Sequence, residues 1–323
     1  MTDAGLAEKG WLSEFPVAFF AAVMGLAGLT LSLRAAERVL GIGAEPSLAV
    51  AALTITVFLV IAVCYAAKLV LHRAAVAAEW AHPVRIAFFP AISISLLLIS
   101  AILAPLSVGV AEALWTVGAA AQAALALAVV ANWIGHRPFQ NIHLNPAWFI
   151  PAVGNVVAPL AGVGLGFVEL SWLFFSAGML FWVVLQTLVF NRLIFHDPLP
   201  DRLAPTLMIL VAPPAVAFIA YHNLTGEVDA FARILLNSSY VALGVVLTQA
   251  RLLLRLSFAL SWWALSFPVA ALSVASLLYA EAMTSTPHRI IGLALVAALA
   301  LIVSGLVVRT LLAIRADQIF RPE

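Results

Sequence analysis

The chain has 323 residues, of which 64% are hydrophobic and 10% are charged, with 16 Lys and Arg against 15 Asp and Glu. Soluble domains average roughly 45–50% apolar and about 25% charged residues, so this composition excludes a soluble protein, and a net charge of +1 excludes a basic surface for nucleic acid. The only cysteine is Cys64, which excludes an intramolecular disulfide and a cysteine-ligated zinc or iron–sulfur site. We expect no metal and no cofactor.

Ten long stretches without a charged residue divide the chain into segments of membrane-spanning length. A helix needs about 20 apolar residues, with a range of roughly 17–25, to cross the hydrocarbon core of a bilayer. The stretches are residues 15–33, 47–67, 86–111, 113–135, 146–168, 170–191, 203–221, 234–250, 256–280 and 290–308. They predict an all-α integral membrane protein with ten transmembrane helices, in a single transmembrane domain over residues 1–323.

The distribution of basic residues predicts an orientation for these helices. With the N terminus in the cytoplasm, twelve of the 16 Lys and Arg lie in cytoplasmic segments, and four lie outside, namely Arg34, Arg38, Arg233 and Arg289. Cytoplasmic loops of membrane proteins carry an excess of basic residues. We therefore expect a multi-pass protein of the cell (inner) membrane, surrounded by the lipid bilayer, with both termini in the cytoplasm.

Proline divides the ten predicted helices into two classes, because ten of the 17 prolines lie in the odd-numbered stretches and none lies in the even-numbered stretches. The ten are Pro16, Pro90, Pro105, Pro146, Pro151, Pro159, Pro205, Pro213, Pro214 and Pro268. A proline inside a helix removes a backbone hydrogen bond and bends the axis, and the freed carbonyl needs a partner away from lipid. The pattern predicts five tandem helical hairpins, with an inner ring of five bent helices around a pore and an outer ring of five. Bends that only improve helix packing would give the same pattern.

Several motifs resemble those of one family of membrane proteins. The clearest is WWALSFPVAALSVASL at residues 262–277, which resembles the ninth-helix signature of the plant guard-cell slow anion channels and of the bacterial tellurite-resistance protein TehA. Further matches are HPVR at 82–85, NPAWFIPAVGN at 145–155, LFFSAGM at 173–179, LVAPPAVAFIAY at 210–221 and GEVDAFARIL at 226–235. The chain is therefore identified as a member of the tellurite-resistance/dicarboxylate transporter family, and the resemblance covers essentially the whole sequence.

The resemblance implies a fold, an oligomeric state and a class of transported ion. Members of the family have five inner and five outer helices, form homotrimers with one pore in each protomer, and conduct small anions, for which chloride, nitrate and tellurite are the candidates here. A phenylalanine of the ninth helix closes their pore until voltage or another stimulus opens it, and the motif assigns this role to Phe267. The first helix departs from the family pattern, since it lacks the mid-helix proline of the bacterial relative and keeps only Pro16 near its start.

Residues in the odd-numbered stretches are the candidates for lining or bending the pore. They are Pro16, Pro90, Pro151, Pro213, Pro214, Pro268, Ser93, Asn155, Ser266 and Ser273. Hydroxyl and amide groups offer dipoles to a passing ion, but hydrogen bonds between helices explain these polar residues equally well. An apolar ring such as Phe267 gates by dewetting, because it cannot replace the hydration shell of an ion. No cation lies at membrane depth, so the preference for anions follows from the resemblance and not from these residues.

The sequence is compatible with three classes of function. A proton-coupled carrier needs an ionisable group at membrane depth, whereas every Asp, Glu, Lys, Arg and His lies outside the ten stretches or at their ends. Passive anion transport, by a channel or a uniporter, is therefore favoured over a proton-linked carrier of C4-dicarboxylates such as malate. An intramembrane enzyme is the least favoured class, since no His, Lys or Asp lies inside the stretches to activate a serine nucleophile.

Overall fold

The computed structural model describes residues 10–135, 139–253 and 255–320, and this part of the chain is helical and contains no strand. Ten segments, numbered α1 to α10, make up the bundle. They are Val17–Leu40, Glu45–Leu71, Arg85–Leu103, Val108–Ile134, Pro146–Gly162, Val168–Phe195, Ala204–Thr225, Ala230–Leu247, Leu260–Met283 and Thr286–Arg315. Shorter helices in the connections are Arg73–Ala81, Asn141–His143 and Ala250–Leu253. Of the ten segments α1 to α10, all except the shorter α5 are long and apolar enough to cross a membrane. This confirms the prediction of an all-helical membrane protein.

Several boundaries differ from those predicted from the charged residues, and two of them have a clear local cause. α1 continues beyond residue 33 to Leu40, because charged residues do not interrupt a helix and Gly41, with a φ angle of +67°, ends it. α3 ends at Leu103, well before residue 111, so Pro105 lies in the turn that leads to α4 and not inside a helix as predicted. A proline cannot continue a helix without losing a backbone hydrogen bond, which explains the early end of α3.

The five odd-numbered segments share one construction, since each begins as a 3₁₀-helix and continues as an α-helix. The 3₁₀ parts are Val17–Phe19, Arg85–Phe88, Pro146–Trp148, Ala204–Val211 and Leu260–Leu265. α5 changes type again, with a 3₁₀ turn at Gly154–Val157 between two short α-helical pieces. Pro90, Pro213 and Pro268 lie at or just after the change of helix type in α3, α7 and α9. A proline ring there cannot donate the backbone hydrogen bond of an α-helix.

Contacts between the odd-numbered segments follow a closed order. α1 packs against α3, α3 against α5, α5 against α7 and α7 against α9, and α9 returns to α1. The five 3₁₀ parts contact one another in the same cyclic order. Each even-numbered segment packs against the odd-numbered segment that precedes it in the chain. The contacts therefore repeat five times along the sequence, once for each pair of segments.

Burial separates the two classes of segment. In α1, α3, α7 and α9, respectively 72%, 78%, 89% and 67% of the residues in the apolar stretch are buried, compared with 22–33% in the even-numbered segments. The even-numbered segments expose large apolar side chains such as Val63, Leu127 and Leu301. An aliphatic surface of this kind is suited to lipid, whereas helices with interrupted backbone hydrogen bonds need protein around them.

Polar side chains of the even-numbered segment α4 bond to the interrupted segment α5. Gln122 is fully buried, donates from Nε2 to the Pro151 carbonyl at 3.1 Å and accepts at Oε1 from the Ser93 hydroxyl at 2.7 Å. Trp115 donates from Nε1 to the Ala158 carbonyl at 2.8 Å. Because α5 changes helix type in this region, these side-chain donors reinforce its backbone where the regular hydrogen-bond ladder is interrupted.

We expect Gln122→Leu to destabilise the protein by about 1–3 kcal/mol, because the buried Pro151 carbonyl loses its side-chain donor. Thermal unfolding in detergent micelles measures the effect. Gln249→Leu is the matched control, since Gln249 is exposed and its side-chain amide donates to the neighbouring Thr248 hydroxyl rather than to another segment. Equal unfolding midpoints for the two variants would contradict the prediction.

Two glycines allow α1 and α9 to approach closely. A Cβ atom at Gly25 would clash with Ser266 Oγ, and a Cβ atom at Gly28 would lie 2.6 Å from Ala270 Cβ and 3.6 Å from the Phe267 ring. Small residues at a helix crossing let the two backbones come together and favour helix association in a membrane. The glycines therefore set the position of α9 relative to α1.

The short distance from a Cβ atom at Gly28 to Ala270 Cβ predicts that Gly28→Ala destabilises the protein, because the alanine side chain cannot move aside. We expect a loss of about 1–3 kcal/mol, because overpacking forces α1 and α9 apart. Gly305→Ala is the control in α10, where an added Cβ has no atom within 4 Å and alanine favours the helix by up to about 1 kcal/mol. The prediction fails if thermal unfolding in micelles gives both variants the same change in midpoint.

A buried ion pair lies beside the start of α1. Lys68 Nζ is 2.9 Å from Glu79 Oε2 and also donates to the Phe15 carbonyl at 2.8 Å. Glu79 accepts from the Val17 N–H at 2.7 Å and from the Tyr65 hydroxyl at 3.0 Å. The Lys68 and Glu79 side chains are only 4% and 3% exposed. Lys68 lies near the end of α2, and Glu79 lies in the short helix Arg73–Ala81 that follows it. Both side chains are enclosed by protein and hold the first turn of α1 against α2.

Candidate pore

A cavity of about 70 Å³ lies between the five odd-numbered segments. Each segment contributes side chains to its wall, among them Met24, Phe88, Phe149, Ile209 and Leu260. Phe88, Ile209 and Leu260 belong to 3₁₀ parts, so this cavity lies toward the end of the bundle at which the odd-numbered segments begin. We call it the vestibule.

A second cavity, of about 30 Å³, lies further along the same five segments, and we call it the upper cavity. Its lining includes Gly28, Leu98, Leu160, Ile219 and Val274. Val216 and Phe267 line both cavities. The cavities are therefore arranged one after the other along the segments, with these two side chains at their boundary.

The backbone of α9 positions Phe267 at this boundary. The α-helical part of the segment begins at Ser266, and Pro268 follows Phe267 directly. Across from the ring lies Gly28 of α1, whose lack of a side chain leaves space for the aromatic group. The Phe267 side chain carries no hydrogen-bonding group, so it cannot replace the hydration shell of an ion at this point.

The prolines predicted to bend or line the pore lie in different environments. Pro213 and Pro268 belong to the vestibule wall. The others lie outside the lining of both cavities, namely Pro16 before the 3₁₀ part of α1, Pro90 between the two parts of α3, Pro151 in α5 and Pro214 in α7. Their role in shaping the segments stays a prediction.

The polar residues predicted to contact a passing ion are engaged in hydrogen bonds. Ser93, Asn155, Ser266 and Ser273 each donate to the backbone carbonyl three residues earlier in their own segment, over 2.6–2.8 Å. Ser273 also bonds to Ser32 of α1 at 2.8 Å. None of the four is among the lining residues of either cavity. The structure thus places them in helix packing, and their contact with an ion stays a prediction.

Ser261 lines the vestibule, although its sequence context does not distinguish it from the other serines of α9. Its Oγ atom is buried and has no hydrogen-bond partner among residues 10–135, 139–253 and 255–320. Trp263, in the same wall, donates from its indole nitrogen to Thr310 Oγ1 at 3.0 Å. The sequence does not single out Ser261, because its place in the cavity wall depends on the 3₁₀ winding of Leu260–Leu265.

Within the part of the chain that the structure describes, no ionisable side chain lines the vestibule or the upper cavity. The same ranges contain no group of three or more His, Cys, Asp or Glu that could hold a metal ion. A proton relay inside a membrane protein requires ionisable side chains along its path. Among the described residues, the walls of the two cavities therefore offer no proton-binding side chain.

These features define an α-helical membrane protein whose buried, proline-containing segments enclose two apolar cavities in series. The family model for SLAC1, described as voltage-dependent anion channel, matches residues 14–311. The chain belongs to this voltage-dependent anion channel family, and the family assignment confirms the prediction that it is not an enzyme.

Relatives from plants and bacteria agree with this assignment. The S-type anion channel SLAH3 of Arabidopsis thaliana is 31% identical over 80% of this chain, and the guard cell S-type anion channel SLAC1 of the same plant is 27% identical over 89%. The tellurite resistance protein TehA homolog of Haemophilus influenzae is 28% identical over 80% of this chain. The matches cover 41%, 54% and 79% of these relatives, so the chain spans about half the length of the plant proteins.

Proposed function

We propose that the protein conducts small anions passively across the cell membrane, through a pore that Phe267 closes. The observation that carries the proposal is the position of Phe267 between the vestibule and the upper cavity, each lined by all five odd-numbered segments. Membership of an anion channel family supplies the class of ion. Chloride and nitrate are the proposed physiological ions, tellurite is a further candidate, and voltage or another stimulus moves the ring aside.

The proposed architecture is an inner ring of five odd-numbered segments around the pore and an outer ring of five even-numbered segments. The closed order of contacts and the greater burial of the odd-numbered segments support it. We further propose a homotrimer with one pore in each protomer, both termini in the cytoplasm, and a single domain in the cell (inner) membrane. The aliphatic surface of the even-numbered segments provides contact area for lipid and for neighbouring protomers.

Passive conduction is preferred to proton-coupled transport of C4-dicarboxylates because of the chemistry of the cavity walls. Proton coupling requires a group that binds and releases a proton along the path. The lining residues of both cavities are almost entirely aliphatic and aromatic, and among the described residues none of them is ionisable. An apolar constriction instead favours gating by exclusion of water.

Reconstitution of the full chain into liposomes tests the proposal. With chloride or nitrate gradients imposed, we expect a current that reverses at the equilibrium potential of the anion and does not change when a pH gradient is added. A saturable flux of malate that carries protons across the membrane would instead support the dicarboxylate carrier. Liposomes that show neither anion current nor anion flux, in a preparation of correctly folded protein, would contradict the proposed channel.

A further inference from the structure

In the described part of the chain, one side-chain hydrogen-bond donor in the vestibule wall has no protein acceptor. Among the lining side chains, only Ser261 and Trp263 carry a donor group. Trp263 donates to Thr310, whereas the buried Ser261 Oγ has no partner within the described part of the chain. A buried hydroxyl without a partner is uncommon in proteins and calls for an explanation such as a bound ion or water.

The other serines of the odd-numbered segments show how unusual Ser261 is. These segments contain eight serines in all, and each of the seven besides Ser261 donates its hydroxyl to a backbone carbonyl. The seven are Ser32, Ser93, Ser95, Ser100, Ser266, Ser273 and Ser276. Five of them bond to the preceding turn of their own helix, as serine hydroxyls in helices often do, whereas Ser32 and Ser100 bond to neighbouring segments. Among the described residues, the hydroxyl of Ser261 is thus the one serine hydroxyl of these segments that is not committed to a protein acceptor.

The position of Ser261 places its hydroxyl before the gate on the path of an ion. Between Ser261 and Phe267 the chain advances by about 11 Å along the segment axis, from rises of about 2.0 Å per residue in a 3₁₀-helix and 1.5 Å in an α-helix. Between them the wall contains Ala264 and Trp263, whose indole N–H is already bonded to Thr310. An ion that enters this space loses water and finds a single polar side chain to replace it.

We propose that the Ser261 hydroxyl is the hydrogen-bond donor that contacts the conducted anion in the vestibule, and that it sets the preference among anions. This inference rests on the proposed function. A hydrogen bond to a charged acceptor is about twice as strong as one between neutral groups. The bond is stronger to a small anion such as chloride than to a large, diffuse anion such as iodide, because Coulomb attraction falls with distance. Ser261 therefore lowers the cost of entry for chloride relative to iodide.

Measurements of the permeability ratio of iodide to chloride test the assignment. We expect Ser261→Ala to raise this ratio by about tenfold, which corresponds to a difference of about 1.4 kcal/mol in the two hydrogen bonds. The variant loses no hydrogen bond within the protein and is expected to fold normally. Ser261→Thr keeps a hydroxyl and should retain the wild-type ratio. The ratios come from reversal potentials of liposome-reconstituted protein under bi-ionic conditions, in the wild-type and in the Phe267→Ala background.

Ser95→Ala is the matched control, because Ser95 is a fully buried serine of α3 that donates to the Ala91 carbonyl and lines neither cavity. We expect it to leave the ratio unchanged. An unchanged ratio in Ser261→Ala, or an equal shift in Ser95→Ala, would overturn the role of Ser261 while leaving anion conduction intact. Absence of anion permeability in the folded wild-type protein and in Phe267→Ala would overturn the proposed function itself, so the two failures are distinguishable.

Discussion

Phe267→Ala is expected to raise the anion conductance of the protein by at least about tenfold. The Phe267 ring belongs to the walls of both the vestibule and the upper cavity, so its removal widens the boundary between them, where Val216 remains. An ion stops at a narrow apolar ring because no group there replaces its hydration shell, and each 1.4 kcal/mol removed from such a barrier corresponds to a factor of ten. The ring makes no hydrogen bond, and the substitution therefore leaves no buried polar group unsatisfied.

Voltage-clamp recordings from planar bilayers or oocytes measure this change, normalised to the amount of protein in the membrane. Phe195→Ala is the matched control, since it removes the same ring from a site that is 74% exposed at the end of α6. Its conductance should equal that of the wild-type protein. If Phe267→Ala reaches the membrane in normal amounts and its current is also unchanged, then the side chain does not close the pore.

Much of the fold follows from two patterns in the sequence. The spacing of charged residues predicts ten apolar segments, and the structure contains ten, of which α5 is shorter than a spanning helix. The restriction of proline to alternate stretches predicts two classes of segment, and burial in the structure differs between the same two classes. Both patterns reflect requirements that act on each segment separately, namely the thickness of the bilayer and the need to shield interrupted backbone from lipid.

Side-chain hydrogen bonds could not be predicted from the sequence, because they depend on which segments meet and at what height. Ser261 and Ser266 are both serines of α9, yet Ser261 lines the vestibule without a partner while Ser266 bonds to the Trp263 carbonyl. Gln122 lies on the even-numbered segment α4, and the sequence does not show that its side chain contacts the Pro151 carbonyl of α5. The functional assignment of polar residues therefore required the structure.

The surroundings of charged side chains could not be predicted from the sequence either, as the buried pair of Lys68 and Glu79 shows. Lys68 directly follows an apolar stretch and Glu79 lies in the connection to the next one, where water or lipid headgroups are the expected surroundings, but the structure encloses both in protein. Their hydrogen bonds to the Phe15 carbonyl and the Val17 N–H connect α2 and the short helix Arg73–Ala81 to the first turn of α1. The pair thus fixes the start of a segment that lines both cavities.

We expect Glu79→Leu to destabilise the protein by about 3–5 kcal/mol, because it leaves the buried Lys68 ammonium without a counter-charge. Lys68→Met should cost a similar amount, since it leaves the Glu79 carboxylate unpaired. The double variant is expected to be more stable than the sum of the single losses predicts, because replacing both buried charges by apolar side chains removes the unpaired charge altogether. Thermal unfolding in detergent micelles, with the four proteins of the double-mutant cycle, measures this coupling.

An exposed ion pair in the same chain is the control that tests whether burial causes the large effect of Glu79→Leu. Arg38 and Glu281 are 3.4 Å apart at the opposite end of α1, with side chains that are 54% and 36% exposed. Water screens such a pair, so Arg38→Met should change the stability by no more than about 1 kcal/mol. If Glu79→Leu and Arg38→Met have equally small effects, then water reaches Lys68 and Glu79 in solution and the first turn of α1 does not depend on their charges.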